Sequence, residues 1–113
     1  MRIAVPYDNG SICAKFTGAE TFKLYDEVNK KVAFTQLVNP TGNNHNVLAG
    51  FLADQLVTCL ICDEISPEAQ TALDDWGIQL YAGCAGNADD RVAELLAGTL
   101  VASFSTARSS HHL

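Results

Sequence analysis

"VTCLICDEISPEA", residues 57–69, joins an apolar run to the start of a helix, and this junction determines the fold class. Residues 57–62 have the length and composition of a buried strand. Ser66 is a residue type that caps helices, and Pro67 suits the first helical position, where the missing N–H costs nothing. Glu68 is favourable to the helix dipole. The segment therefore predicts a strand that leads directly into a helix.

Apolar periodicity on both sides of this junction predicts the remaining elements. In chain order they are a buried strand at 2–6, a hairpin of strands at 21–28 and 31–39, a helix capped by Asn44 or Asn46, the junction itself, a strand at 78–82, and a helix from Asn87 to Gly98. Helical crossovers require the later strands to be parallel, whereas a tight hairpin is antiparallel. The sequence predicts a three-layer α/β fold, with a five-stranded mixed sheet and helices on both faces. We expect a single domain at 1–103 and a flexible tail at 104–113.

Charge and hydropathy exclude several classes of function. Thirteen acidic residues against seven basic ones give a formal charge of −6, which would repel a phosphate backbone, so we expect no nucleic-acid partner. No apolar run approaches the roughly 20 residues of a membrane span, and the start of the chain lacks a signal peptide's apolar stretch. We therefore expect a cytoplasmic protein without membrane association, whose cysteines are thiols or metal ligands rather than disulfides.

The Cys-x-x-Cys motif of Cys59 and Cys62 has the spacing of a zinc knuckle or a redox dithiol. Side chains alternate across a strand, so two residues three apart point to opposite faces and cannot chelate one ion unless the strand ends between them. We expect Cys59 to fill the core, because free cysteine packs like a small apolar residue. Cys62 lies at the strand end, where α/β sheets place their ligand crevice.

The loops that follow the first, fourth and fifth predicted strands should meet at one edge of the sheet. They contain Asp8, Cys13, Lys15, Cys62, Asp63, Glu64 and Cys84, and the loop before the first helix adds His45. Thiolates and an imidazole suit iron, copper, zinc or a metal–sulfur cluster, while carboxylates suit hard cations. Each residue also has a structural explanation: Asp8 as a turn former, Asp63 and Glu64 as solvated charges, Cys84 as an incidental loop thiol, and His45 as a capping group.

Six stretches, taken in order, resemble the dinitrogenase iron-molybdenum cofactor biosynthesis family over nearly the whole chain to Leu100. They are RIAVPYDNG (2–10), AETFKLYD (19–26), NNHNVLAGFL (43–52), VTCLIC (57–62), WGIQLYAG (76–83) and GNADDRVAELLAGTL (86–100). The resemblance implies a single domain with an RNase H-like sheet. It also implies a nitrogen-fixation-related protein that carries an iron-molybdenum or other metal–sulfur cofactor, passes it to a protein partner, and has no catalysis of its own. His111 and His112 are similar to histidine-bearing tails in relatives.

The loop argument and the resemblance together predict a set of cofactor-binding residues. Cys13, His45 and Cys84 are the expected metal ligands, and His45 matches a histidine frequent at that helix start. Lys15 is expected to pair with the negative charge of the cluster.

The sequence also departs from the family's pattern at two loops. In KFTGAE (15–20), Lys15 and Gly18 stand where the family commonly has histidines. Asp63 and Glu64 stand where the family often has a glycine-rich turn, whose backbone amides could approach an anionic cluster that carboxylates would repel. Two of the usual ligands are therefore missing.

Three functions are compatible with these observations. The first is a cofactor carrier or chaperone. The second is a divergent relative that kept the fold, lost the ligands and works through protein contacts. The third is a Mg²⁺-dependent phosphoryl-transfer enzyme with Asp8 and Asp63 as metal ligands, which the acidic charge and the lack of a basic substrate face disfavour.

Overall fold

The computed structural model describes residues 1–106 as one mixed sheet flanked by helices, which confirms the predicted α/β class. The strands are β1 (Arg2–Asp8), β2 (Ser11–Ile12), β3 (Phe22–Val28), β4 (Lys31–Val38), β5 (Cys59–Ile61), β6 (Gln79–Ala82) and β7 (Phe104–Ser105). The helices are α1 (His45–Asp54), α2 (Pro67–Asp75) and α3 (Ala88–Ala97), and a 3₁₀ turn spans Phe16–Gly18.

The sheet contains seven strands within residues 1–106, so the predicted number of five is wrong. The strand order is β4-β3-β1-β5-β6-β7, with β2 paired to β1. As predicted, β1, β5 and β6 are parallel, and the β3–β4 hairpin is antiparallel. The two additional strands have two residues each, too few for an apolar period to be visible. The RNase H-like assignment stays a prediction from the resemblance.

The two short strands had different signals in the sequence. Asn9 and Gly10 have φ values of 47° and 95°, so they form the kind of two-residue turn that joins hairpin strands, and this dipeptide could have revealed β2. β7 pairs with β6 beyond Ser103, where we expected the domain to end. The rest of the predicted tail, residues 107–113 with His111 and His112, lies outside the described residues.

Two apolar clusters fill the space between the sheet and its helices. The α1/α2-side cluster, which includes Leu48, Leu52 and Leu73, covers one face. The α3-side cluster, which includes Ala88 and Val92, covers the other. Consecutive residues of a strand alternate between them, as a pleated sheet requires. Cys59 belongs to the α3-side cluster and Cys62 to the α1/α2-side cluster. The prediction that these two cysteines point to opposite faces is confirmed.

Helix ends follow the cap signals in the sequence. Asn44, Ser66 and Asn87 are the N-caps of α1, α2 and α3, and each side-chain oxygen accepts a hydrogen bond from a backbone N–H of the first turn. Gly98 ends α3 in the left-handed region at φ 79°. All three helices are short, and within the described chain none is long and apolar enough to cross a membrane.

Candidate functional site

The loops after β1, β5 and β6 meet at one edge of the sheet, as predicted. The backbone N–H of Ile12 donates to the carbonyl oxygen of Gly86 over 2.8 Å, which ties the first loop to the third. The N–H of Glu64 donates to the carbonyl oxygen of Ala14 over 2.9 Å, which ties the second loop to the first. These bonds hold the three loops together at the carboxyl ends of the parallel strands, where α/β sheets bind ligands.

The first of two cavities at this edge, the Cys13 cavity, has a volume of about 380 Å³. It is lined by Tyr7, Asp8, Asn9, Cys13, Gly18, Glu20, Thr21 and Leu37. Cys13 is half-buried, and its N–H donates to the carbonyl oxygen of Pro6 over 2.8 Å. Its Sγ lies 3.6 Å from the carbonyl oxygen of Lys15. The cavity wall therefore combines one soft sulfur atom with the carboxylates of Asp8 and Glu20.

The second cavity, the Lys15 cavity, has a volume of about 320 Å³ and lies at the start of α2. Lys15, Phe16, Thr17, Glu64, Ile65 and Ser66 line it. A parallel bridge between Lys15 and Glu64 joins the two loops here, and both side chains are exposed. An ammonium and a carboxylate thus border the same opening with opposite charges.

Cys84 is only 2% exposed and packs in the α3-side cluster. Its Sγ lies 3.7 Å from the carbonyl oxygen of Val101. Burial raises the pKa of the Cys84 thiol, although the positive charge of Arg91 opposes that effect. Burial, with smaller contributions from Cys84 and Asp63, also raises the pKa of Cys62 to about 12. Burial thus disfavours, at both positions, the thiolate form that a metal ligand needs.

His45 is the first residue of α1 and is half-buried, and it lines neither of the two cavities. The side chain that caps α1 is Asn44, not His45. Cys13 packs against the α1/α2-side cluster, whereas Cys84 lies on the other side of the sheet. The structure therefore does not bring the three predicted ligands together. Within residues 1–106 no group of three or more His, Cys, Asp or Glu side chains could hold a metal ion, and the ligand roles stay predictions.

A charged network beside the Cys13 cavity was not predicted. Lys23 Nζ lies 2.9 Å from Asp89 Oδ1 and 5.3 Å and 5.1 Å from the ring centres of Tyr7 and Tyr25. The hydroxyl of Tyr25 donates to the same oxygen over 2.6 Å. The hydrogen bond from Tyr25, followed by that from Lys23, lowers the pKa of Asp89. Because Asp89 is 66 residues beyond Lys23 in the chain, no local pattern could have shown this network.

Comparison with known proteins identifies the family. Residues 1–98 match the model of the family described as dinitrogenase iron-molybdenum cofactor. The chain belongs to this family. An uncharacterized protein of Methanocaldococcus jannaschii is 27% identical over 105 residues, which cover 88% of this chain and 89% of that protein.

Two solved structures have the same fold as this chain. The crystal structure of PH0822 has a TM-score of 0.85 at 20% identity, and the match covers 92% of this chain and 96% of that one. The apo form of the orange protein from Desulfovibrio gigas has a TM-score of 0.79 at 20% identity, with 95% of this chain and 96% of that one covered. At this identity the two likenesses establish the fold alone. The family membership and the resemblance found in the sequence agree.

Proposed function

We propose that this protein binds a metal–sulfur cofactor of the iron-molybdenum type, or a precursor of it, as cargo at the loop edge of the sheet. The observation that carries the proposal is the position of Cys13. Of the cysteines in the described chain, Cys59, Cys62 and Cys84 are buried, whereas Cys13 is partly exposed. It also lines the larger of the two cavities at the edge where α/β proteins bind ligands. Membership in a family named for the cofactor supports the same function.

The donors at this edge suit a cargo that is bound loosely and released. Metal–sulfur clusters are held by thiolates, and a structural site uses several of them. Here Cys13 is the one soft donor in the cavity wall, beside the carboxylates of Asp8 and Glu20. A cluster that brings its own sulfide needs few protein bonds, and repulsion from the carboxylates weakens the binding of an anionic cargo. Lys15 in the neighbouring cavity provides a positive charge that partly offsets this repulsion.

The second function, a divergent relative that acts through protein contacts without a cofactor, is supported by a separate observation. The described residues contain no group of three metal-binding side chains. Under this alternative Cys13 is an ordinary half-buried thiol. The experiment below separates the two functions.

The phosphoryl-transfer function has less support from the structure. Asp8 lines the Cys13 cavity, but Asp63 lines neither cavity at this edge, and its carbonyl oxygen accepts the N–H of Gly83 over 3.0 Å. A Mg²⁺ site requires oxygen ligands gathered around one ion. We therefore propose no catalytic step for this protein.

Anaerobic reconstitution with iron, molybdate and sulfide tests the proposed function. Wild type should retain metal and sulfide after desalting, and Cys13→Ser should lose most of both, because serine is a poor ligand for soft metals. Cys84→Ala is the matched control, since it removes a buried thiol, and its retained metal should equal that of wild type. His45→Ala tests the predicted imidazole ligand separately. Circular dichroism verifies that each variant is folded.

Cofactor retention should also depend on pH, because thiolate ligands in general compete with protons for the metal. We expect the retained metal to fall as the pH is lowered. If wild type retains no metal, or if Cys13→Ser retains as much as wild type, the carrier function proposed here is wrong. The protein-contact function then takes its place.

A further inference from the structure

The strand β4 forms an open edge of the sheet. In the described chain it pairs with β3 alone and is the first strand in the sheet order. Seven of its eight residues are exposed. The outer side of such a strand presents backbone N–H and C=O groups that a further strand can pair with. Exposed apolar side chains accompany them: Phe34 is 71% and Leu37 58% exposed.

Natural edge strands are usually protected against pairing by charges, prolines or bulges. In β4 such features occur only at its amino-terminal end. Lys30 and Lys31 lie there, and the register with β3 shifts so that Ala33 has no partner residue. The following stretch, Phe34–Val38, pairs regularly with β3 and contains no charge, proline or bulge. This regular stretch is the unprotected part of the edge.

We propose that two copies of this protein associate by antiparallel pairing of their β4 strands, centred on Gln36. A two-fold axis perpendicular to a continuous sheet must pass midway between the two copies of one residue, because directly opposite residues point to the same side of the sheet and sequence neighbours point to opposite sides. Gln36 is the middle of the regular stretch. In this register Phe34 lies opposite Val38 of the second copy on the α1/α2 side. Thr35 lies opposite Leu37 of the second copy on the α3 side.

For two copies of this chain, charge favours this edge over the rest of the surface as the place of contact. The chain carries a net charge of −6, so most contacts between two copies bring acidic surfaces together. The sequence has no Asp or Glu between Glu27 and Asp54, a segment that includes all of β4. In the proposed register the lysines of the two copies lie at opposite ends of the pair. The edge is thus the part of the surface where two copies repel each other least. The exposed apolar side chains of one copy would also pack against those of the other.

Substitutions of Gln36 test both the surface and the register. Wild type should shift from a 12.1 kDa monomer towards a dimer as its concentration rises in analytical ultracentrifugation. Gln36→Lys and Gln36→Glu each place like charges directly opposite, so each should weaken self-association about threefold or more. A mixture of the two variants should form heterodimers, with an association constant about tenfold above that of either homodimer. Gln36 is exposed, so the fold should not change.

The matched control is Gln79, an exposed glutamine of β6, away from the proposed interface. Gln79→Lys and Gln79→Glu make the same changes in net charge and should leave the wild-type association constant unchanged. A wild type that stays monomeric at every concentration overturns the proposal. A dimer that is insensitive to charge at position 36, or that responds equally at position 79, overturns it as well, because the copies then meet elsewhere.

A cross-link gives a second readout of the register. Directly opposite residues of antiparallel strands have Cα atoms about 4.5–5.5 Å apart, within the range that a disulfide can bridge. In a Cys13→Ser background, Gln36→Cys should form a covalent dimer on mild oxidation, whereas Thr35→Cys should form much less. A reversed preference shows a different register and contradicts the centre at Gln36.

Discussion

At the scale of single residues, the four cysteines differ in the atoms that surround them. Cys59, Cys62 and Cys84 are buried, and Cys13 is half-buried beside a cavity. Burial raises the pKa of Cys59 and of Cys62 to about 12. A thiol that is both shielded and protonated reacts slowly, because the thiolate is the nucleophile.

Thiol labelling tests this difference. We expect a maleimide reagent to modify Cys13 in the native protein and the other three cysteines only after unfolding. Mass spectrometry of the intact protein should show one adduct, and Cys13→Ser should show none over the same period. Rapid native modification of Cys84 would contradict its burial and would support its predicted role as an accessible ligand.

At the scale of elements, a glycine allows the loop after β6 to contact the segment before β7. Gly83 has φ 76°, and a Cβ atom there would lie 2.3 Å from the side-chain oxygen of Ser103. The N–H of Ser103 donates to the carbonyl oxygen of Ala82 over 2.9 Å, so the two segments are already in contact. The short strand β7 therefore depends on the absence of a side chain at position 83.

Gly83→Ala should lower the free energy of unfolding by about 1–2 kcal/mol, through backbone strain and the clash with Ser103. Gly77→Ala is the matched control, because Gly77 has φ 73° and no atom within 4 Å of its added Cβ. Gly77→Ala should lower the free energy of unfolding only by the cost of the strained backbone. Chemical denaturation followed by circular dichroism measures both values, and equal losses for the two variants would contradict the proposed close contact.

At the scale of the whole molecule, charged contacts join parts of the chain that are distant in sequence. Asp89 at the start of α3 binds Lys23 and Tyr25 of β3, and Asp26 of β3 binds Arg2 of β1. The pKa values of Asp26 and Asp89 are both lowered, mainly by these hydrogen bonds. A carboxylate whose pKa is lower in the folded state stabilises that state at pH values above its unfolded pKa, about 3.9 for Asp.

We therefore expect the stability to fall as the pH decreases through about 4, because these carboxylates take up protons and lose their partners. Asp89→Asn should lower the free energy of unfolding at neutral pH by about 1 kcal/mol, a small value because the Asp89 side chain is 64% exposed. The difference in the free energy of unfolding between wild type and Asp89→Asn should diminish below about pH 4, because the ordinary pKa of Asp lies near that value.

The control for this pH profile is Asp90→Asn. Asp90 is also exposed in the first turn of α3, and it has no ion pair within residues 1–106. Its variant removes the same favourable charge from the start of α3, so it should show the helix-dipole contribution without the loss of the bonds to Lys23 and Tyr25. A pH-independent difference between wild type and Asp89→Asn would contradict the linkage.

The sequence by itself determined the class of each long element, the helix caps and the face on which each strand residue lies. These properties depend on neighbours within a few positions: the caps Asn44, Ser66 and Asn87 bond to their own first turns, and Cys59 and Cys62 separate because a strand alternates. The family resemblance was also visible in the sequence. Only the tertiary structure revealed β7 and the network of Lys23 with Asp89, since each joins segments distant in the chain. The burial of Cys84 was equally beyond the sequence, because the fold brings Val101, 17 residues further along, against its sulfur atom.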